Sequence, residues 1–157
     1  MIGGYYEEEI KTLNKKRIRY LVVGGLAVNL YGLHRLTRDL DLMIDLSLPK
    51  EDLSKFIAAI KPLGYFTNIP KSKWEKLAAI AFVNKNDADK RIDVFLKNPI
   101  DFKKAYKKRK IFRVNKFNIA CVSFDDLIKM KNIANRLRDW IDIGSLQRLK
   151  ELKTINE

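Results

Sequence analysis

The chain has 157 residues, 46% of them hydrophobic, and a formal net charge of +13. That size and apolar content fit one folded domain over 1–157 with a core of its own and argue against a disordered chain. A lone cysteine, Cys121, excludes an internal disulfide framework and fits a reducing cytoplasm.

In chain order, the acidic start MIGGYYEEE lacks the basic segment of a signal peptide, and residues 7–17 predict a charged helix. Residues 19–23 form a short β-branched strand that runs into Gly24-Gly25, and a helix is expected from 26 to about 33. The apolar run at 21–28 is too short to span a bilayer, so no membrane is expected. A second strand carries Asp39 and Asp41, followed by a helix opened by Pro49, with Ser47 as a candidate cap. Leu53, Phe56, Ile57 and Ile60 give that helix a buried stripe, and Pro62 and Gly64 end it.

Residues 65–76 read as surface loop, and 79–84 pair with 90–96 as a hairpin across a polar turn. A short helix from Asp101 and strands at 110–114 and 118–122 come next. Ser123 with Asp126 has the form of a capping box opening the first of two final helices, which separate near 136–139. Trp74 and Trp140 read as packing residues, Cys121 as an inert packed thiol and His34, the single histidine, as solvent-facing. The whole is an α/β domain: a small mixed sheet, about 17–122, with flanking helices and a helical C-terminus, about 123–155.

The chemistry concentrates between residues 20 and 45. Glycines after a strand let the backbone turn sharply and approach a ligand, and a helix start offers unpaired N–H groups to an anion. Asp39 and Asp41 are two apart, so on a strand both carboxylates leave the same face while Leu40, Leu42 and Ile44 leave the other. Paired carboxylates repel unless a cation or proton lies between them, and Mg²⁺ suits such an oxygen site. Asp93 stands on a further strand, opposite in parity to Ile92 and Val94. If that strand lies beside the first pair, three carboxylates converge, as a two-metal site requires.

These residues resemble the DNA polymerase beta-like nucleotidyltransferase superfamily, whose pattern is a Gly-Gly or Gly-Ser turn, an Asp-x-Asp pair and a later single Asp on a strand. The string GGLAVNLYGLHRLTRDLDL is similar to the minimal, abortive-infection toxin type, and so is the tail with Lys131, Arg136, Arg138, Asp139 and Asp142. Gly25 stands where many active members have serine. The resemblance implies Asp39, Asp41 and Asp93 as catalytic ligands of two Mg²⁺ ions, Mn²⁺ being the substitute. It also implies triphosphate binding by Gly24, Gly25, Arg35, Thr37 and Lys131, with NMP transfer from an NTP to an acceptor hydroxyl. The acceptor stays open between RNA such as tRNA, a protein and a small molecule, and a partner protein or antitoxin is admitted.

The basic stretch 103–116, with Phe102, Tyr106 and Phe112 among its cations, reads either as a nucleic-acid groove served by Lys107, Lys108 and Lys110 or as a solvated face. Two rival readings remain at this point: an inactive nucleotide- or partner-binding regulatory module, and a basic nucleic-acid-binding protein.

Overall fold

A computed structural model describes residues 2–46 and 49–155, with side chains from 4–46 and 53–155. The elements in order are α1 (Ile2–Tyr5), α2 (Glu7–Lys15), β1 (Tyr20–Val23), α3 (Gly24–Leu30), β2 (Leu40–Ile44), α4 (Pro49–Ile60), β3 (Tyr65–Phe66), β4 (Ala79–Asn84), β5 (Arg91–Phe95), α5 (Phe102–Lys107), β6 (Lys110–Val114), β7 (Phe117–Cys121), α6 (Phe124–Ala134) and α7 (Leu137–Ile155). The seven strands make one mixed sheet in the order β3-β4-β5-β2-β1-β7-β6. The β1–β7 and β2–β5 pairs are parallel; the other four pairs are antiparallel.

Strand parity builds the core. Leu40, Leu42, Ile80, Phe82, Ile92 and Val94 are cross-strand neighbours on one face and all are buried. Helix α4 packs on this face, where Phe56 meets Phe82 edge-on with ring centroids 5.7 Å apart. Burying each such side chain contributes about 1.5–3 kcal/mol, so the layer fixes the register that also sets the positions of the acids on the opposite face.

Four expectations are corrected. The helix after β1 begins at Gly24 rather than Leu26 and closes at Leu30, so the glycines are its first turn. The 65–76 segment is not plain loop: Tyr65 and Phe66 pair with Asn84 and Val83 as an edge strand, and Lys71–Lys76 form a 3₁₀ turn. Asp39 immediately precedes β2 rather than lying within it. Trp140 is not a packing residue, being 57% exposed on α7. Trp74 does pack against the core, its indole N–H donating to the Ile69 carbonyl at 3.0 Å. Ser47 lies outside the described residues. Ser123 caps α6 by accepting from the Asp126 N–H at 3.2 Å, and Asp101 does the same for α5 from the Lys104 N–H at 2.8 Å. Cys121 is fully buried, and burial pushes its thiol pKa up, so it is inert as expected.

Candidate active site

The pairing of the central strands decides where the acids fall. Asp41 lies opposite Val23 on one side and opposite Asp93 on the other, in register. Because Asp41 and Asp93 are in-register partners on β2 and β5, the two carboxyls leave the same face of the sheet side by side. Tyr6, at the junction of α1 and α2, secures the entry to both strands: its hydroxyl donates to the Arg38 carbonyl and accepts from the Arg91 N–H at 3.2 Å. The residues flanking the acids on each strand are thereby tied to one buried phenol.

Gly24 completes this arrangement by having no side chain. Its φ is +66°, and a Cβ built on it would fall 2.2 Å from Asp41 Oδ2. Only glycine allows both the backbone conformation and the approach of that carboxylate. A Cβ on Gly25 would meet Thr37 Oγ1 at 2.8 Å and the Arg35 guanidinium at 3.0 Å. The first turn of α3 is therefore enclosed by Asp41, Thr37 and Arg35. Val23, at its N-cap, gives no side-chain cap.

These groups share one cleft of about 370 Å³: Gly24, Gly25, Arg35, Thr37, Asp39, Asp41, Asp93 and Lys131 all line it. Lys107, Lys108 and Lys110 do not. Lys108 pairs with Asp126, 3.1 Å away at the start of α6, with more than half of its side chain still exposed. The loop carrying Arg35 is held by Asn29, whose side chain accepts from the Arg35 N–H at 2.7 Å and donates to its carbonyl at 2.8 Å.

Opposite the acids, α6 and α7 bring a charged network. Lys131 is buried, with its ammonium 2.8 Å from Asp142 and 3.5 Å from Asp139. Arg35 reaches the same Asp142 carboxylate at 3.1 Å, and Arg136 donates to Asp139 at 2.7 Å. Asp139 also accepts from the Arg136 backbone N–H at 3.1 Å, the return half of a capping box at the start of α7. Burial works against ionising Asp139, but Arg136 and Lys131 outweigh it and hold its carboxyl below the ordinary range. Three cations share two carboxylates, which leaves this wall of the cleft net positive.

The wall bearing the acids has the opposite character. Burial, then the neighbouring charges of Asp93 and Asp39, push Asp41 up to about 7. Burial also raises Asp93, against the pull of Arg91. The Arg91 guanidinium grips both Asp93 oxygens, with Nε at 3.0 and 3.2 Å. Sequence reading gave Arg91 no role, although its place two residues before Asp93 puts it on the same strand face. Among the described residues no three acid, histidine or cysteine side chains are drawn tightly enough to form a finished cation cage. The donor chemistry nevertheless fits a hard divalent cation: Asp39, Asp41 and Asp93 offer only oxygen, and Asp41 retains a proton that a cation would replace.

A measurable consequence follows for pH. Below about pH 7 Asp41 holds its proton, so Mg²⁺ binding there should release close to one proton at pH 6 and almost none at pH 9. Calorimetry in buffers of different ionisation enthalpy reads this directly. Equal proton release at both pH values would mean Asp41 is not a ligand.

No family model matches the chain, and no curated protein matches it in sequence. Solved structures do match in fold. A lincosamide antibiotic adenylyltransferase, LnuA, seen with lincomycin bound, superposes with a TM-score of 0.67 at 16% identity, covering 93% of this chain and 96% of that one. The ANT(2'')-Ia structure in complex with adenylyl-2''-tobramycin gives 0.59 at 14% identity over 95% and 92%. An antigenic nucleotidyltransferase-like protein from Paracoccidioides brasiliensis gives 0.60 at 17% identity over 91% and 72%. This chain has the nucleotidyltransferase fold over nearly its whole length.

Proposed function

We propose that the chain is a Mg²⁺-dependent nucleotidyltransferase that moves a nucleoside monophosphate from an NTP to an acceptor hydroxyl and releases pyrophosphate. The observation that carries this reading is the in-register Asp41–Asp93 pair set against a glycine whose absent side chain leaves room for the Asp41 carboxylate. Asp39, Asp41 and Asp93 would hold the divalent ions, Mn²⁺ being the substitute, and the ions when bound polarise the α-phosphate and activate the attacking hydroxyl. Gly24 and Gly25 would offer backbone N–H groups to the triphosphate. Arg35, Thr37 and Lys131 line the same cleft, where the net positive wall offsets charge on the leaving pyrophosphate. Asp142 and Asp139 hold Lys131 and Arg35 in place beforehand, so little reorganisation is needed when the nucleotide arrives.

For the acceptor we favour an RNA end such as tRNA, in the reducing cytoplasm, because the charge of +13 is left largely unbalanced outside the cleft. In the neighbouring structures the molecules named are lincomycin and adenylyl-tobramycin, so a small hydroxylated acceptor is the alternative within the same reaction. The abortive-infection-like strings add a protein acceptor or an antitoxin partner. Incubating the chain with Mg²⁺, each α-labelled NTP and total RNA should place label on a discrete RNA species. Label on protein or on a small molecule would reassign the acceptor. Tight Mg²⁺-dependent NTP binding with no transfer would favour the regulatory module, a reading to which the Arg91 clamp on Asp93 lends weight.

The basic stretch carries its own expectation. Lys107 and Lys110 are exposed, and Lys108 keeps more than half of its side chain in solvent. If they meet phosphates, replacing Lys107, Lys108 and Lys110 with alanine should lower the salt slope of RNA binding by about 2. NTP affinity should hold. An unaltered slope would leave the cluster a solvated face and remove the nucleic-acid-binding reading with it.

A further inference from the structure

The positive charge outside the cleft is concentrated where three arginines from two distant turns meet in one recess of about 320 Å³. Arg17 and Arg19 come from the turn between α2 and β1, and Arg109 from the turn between α5 and β6. Tyr106 gathers two of them, with the Arg109 guanidinium 4.0 Å and the Arg19 guanidinium 5.8 Å from its ring centroid. Arg109 is fixed further by donating from Nη1 to the Tyr106 carbonyl at 2.8 Å, so its fork is set before any ligand arrives. Among the described residues no carboxylate lines the recess, and Asp45 stands 4.0 Å from Arg19, at the limit of an ion pair. Arg17 carries a second, independent sign. Helix α2 ends with the Ile18 N–H donating to the Leu13 carbonyl and the Arg17 N–H to the Asn14 carbonyl, which sets residue 17 at φ +56°. Glycine takes that left-handed position without strain, and the other described non-glycine residues with positive φ are asparagines, which tolerate it. An arginine held there against the backbone's preference, lining a recess of like charges, is a feature that folding alone does not favour.

We propose that this recess is a phosphate site for the backbone of a nucleic-acid strand. Guanidinium forks match phosphate oxygens, and three of them without a lining acid leave a charge that a polyanion neutralises. Exposed Lys15 and Lys16 beside Arg17, and Lys107 and Lys110 beside Arg109, extend the positive surface, which serves a chain of phosphates better than a single anion. The Tyr106 ring already has Phe102 stacked at 5.5 Å in addition to its arginines, so it steadies cations rather than receiving a base. Contacts of this kind read phosphates without regard to sequence. An anionic lipid surface fits less well, since Ile111 is the one exposed large apolar side chain lining the recess. The recess lies at the start of β1 and the cleft at its end, about 17 Å apart along the chain from residue 19 to residue 24. With an RNA acceptor, the recess would hold the backbone a few nucleotides from the reacting end. Only that link rests on the reading of the cleft.

The test is anisotropy of a labelled dodecameric oligouridylate with the full chain at several salt concentrations. NTP and Mg²⁺ are left out, so the result is independent of whether the cleft transfers a nucleotide. The combined Arg17→Gly, Arg19→Gln and Arg109→Gln variant should bind at least about tenfold more weakly at about 0.1 M salt. Its salt slope should fall by about 2, because a single strand gives about 0.7 for each phosphate neutralised. Removing the same charge at exposed Lys55, Lys61 and Lys73, each to glutamine, should weaken binding by less than about threefold, as screened charges away from the site do. Arg17→Gly alone should weaken binding about threefold while leaving Tm equal or higher, because glycine adopts φ +56° without strain. That variant separates loss of a contact from loss of the fold. Equal losses for the arginine and lysine triples, or undiminished binding by Arg17→Gly, overturn the proposal. Complete displacement of the RNA by inorganic phosphate at equal phosphate concentration also overturns it. So does binding to phosphatidylglycerol vesicles that falls in the arginine triple while RNA binding does not.

Discussion

Replacing Asp41 with asparagine should abolish nucleotidyl transfer and, above pH 7, make the protein more stable. The two effects share one cause. Asp41 is half-buried beside Asp93, and desolvation with the charges of Asp93 and Asp39 raises its carboxyl from 3.8 to about 7. The folded state therefore holds the proton more tightly than the unfolded chain does. A raised acid of this kind makes stability fall as pH rises between about 4 and 7, by a few kcal/mol over that window, because ionisation is easier once the chain unfolds. The amide is nearly isosteric and never ionises, so Asp41→Asn should raise Tm at pH 8 and leave it nearly unchanged at pH 4. The same substitution removes an anionic ligand at the centre of the acid cluster. Loss of groups that merely orient a metal ligand costs 10–100-fold, so losing the ligand itself should reduce label transfer by at least about a hundredfold. Asp39→Asn should reduce transfer comparably, since it removes a neighbouring carboxylate that lines the same cleft. A stable Asp41→Asn variant with undiminished transfer would take the carboxylates out of the mechanism.

The site was legible in the sequence to the extent that it rests on period two. Asp41 and Asp93 alternate with apolar neighbours and Asp39 stands two before Asp41, so a shared face could be read from spacing; that β5 adds in parallel beside β2, which sets Asp93 level with Asp41, could not. Such a pairing is non-local and depends on how the apolar face packs against α4. The two-residue strand Tyr65–Phe66 was missed because so short a segment shows no alternation. Lys131 read as a surface residue apart from the family likeness, since nothing in an amphipathic pattern reports that Asp139 and Asp142, one turn apart on the next helix, enclose its ammonium. Trp140 failed in the opposite direction. Composition favours a buried tryptophan, yet α7 already fills its inward side with Asp139, Asp142 and Leu146, and the indole is left outside. For Lys131 and Trp140 the miss was of tertiary neighbourhood, while the helix carrying each was read correctly.

Gly24→Ala tests the geometry of the cleft rather than its charge, and it should harm both folding and binding. The new methyl would stand 2.2 Å from Asp41 Oδ2 and 3.0 Å from its Cγ, on a backbone held at φ +66°. The left-handed conformation alone costs a non-glycine residue about 1–2 kcal/mol, and the contact adds to it. For a chain of this length the sum should lower Tm by about 4–8 °C. Relief can come only through movement of the Asp41 carboxylate, because the other atoms nearest the methyl belong to the same side chain. That movement takes the carboxylate out of line with Asp93, so Mg²⁺-dependent NTP binding should fall along with stability. Gly25→Ala is the matched control. Its φ is not left-handed, and the nearest atoms are the ends of the Thr37 and Arg35 side chains, of which the arginine can swing away. It should cost less stability and weaken NTP binding mainly through Arg35. Combining Gly24→Ala with Asp41→Asn separates strain from chemistry. If the methyl acts through Asp41, the two stability changes will depart from additivity, as changes at residues in contact do. Simple addition, with NTP binding retained in Gly24→Ala, would mean that the close approach of Gly24 to Asp41 plays no part in shaping the site.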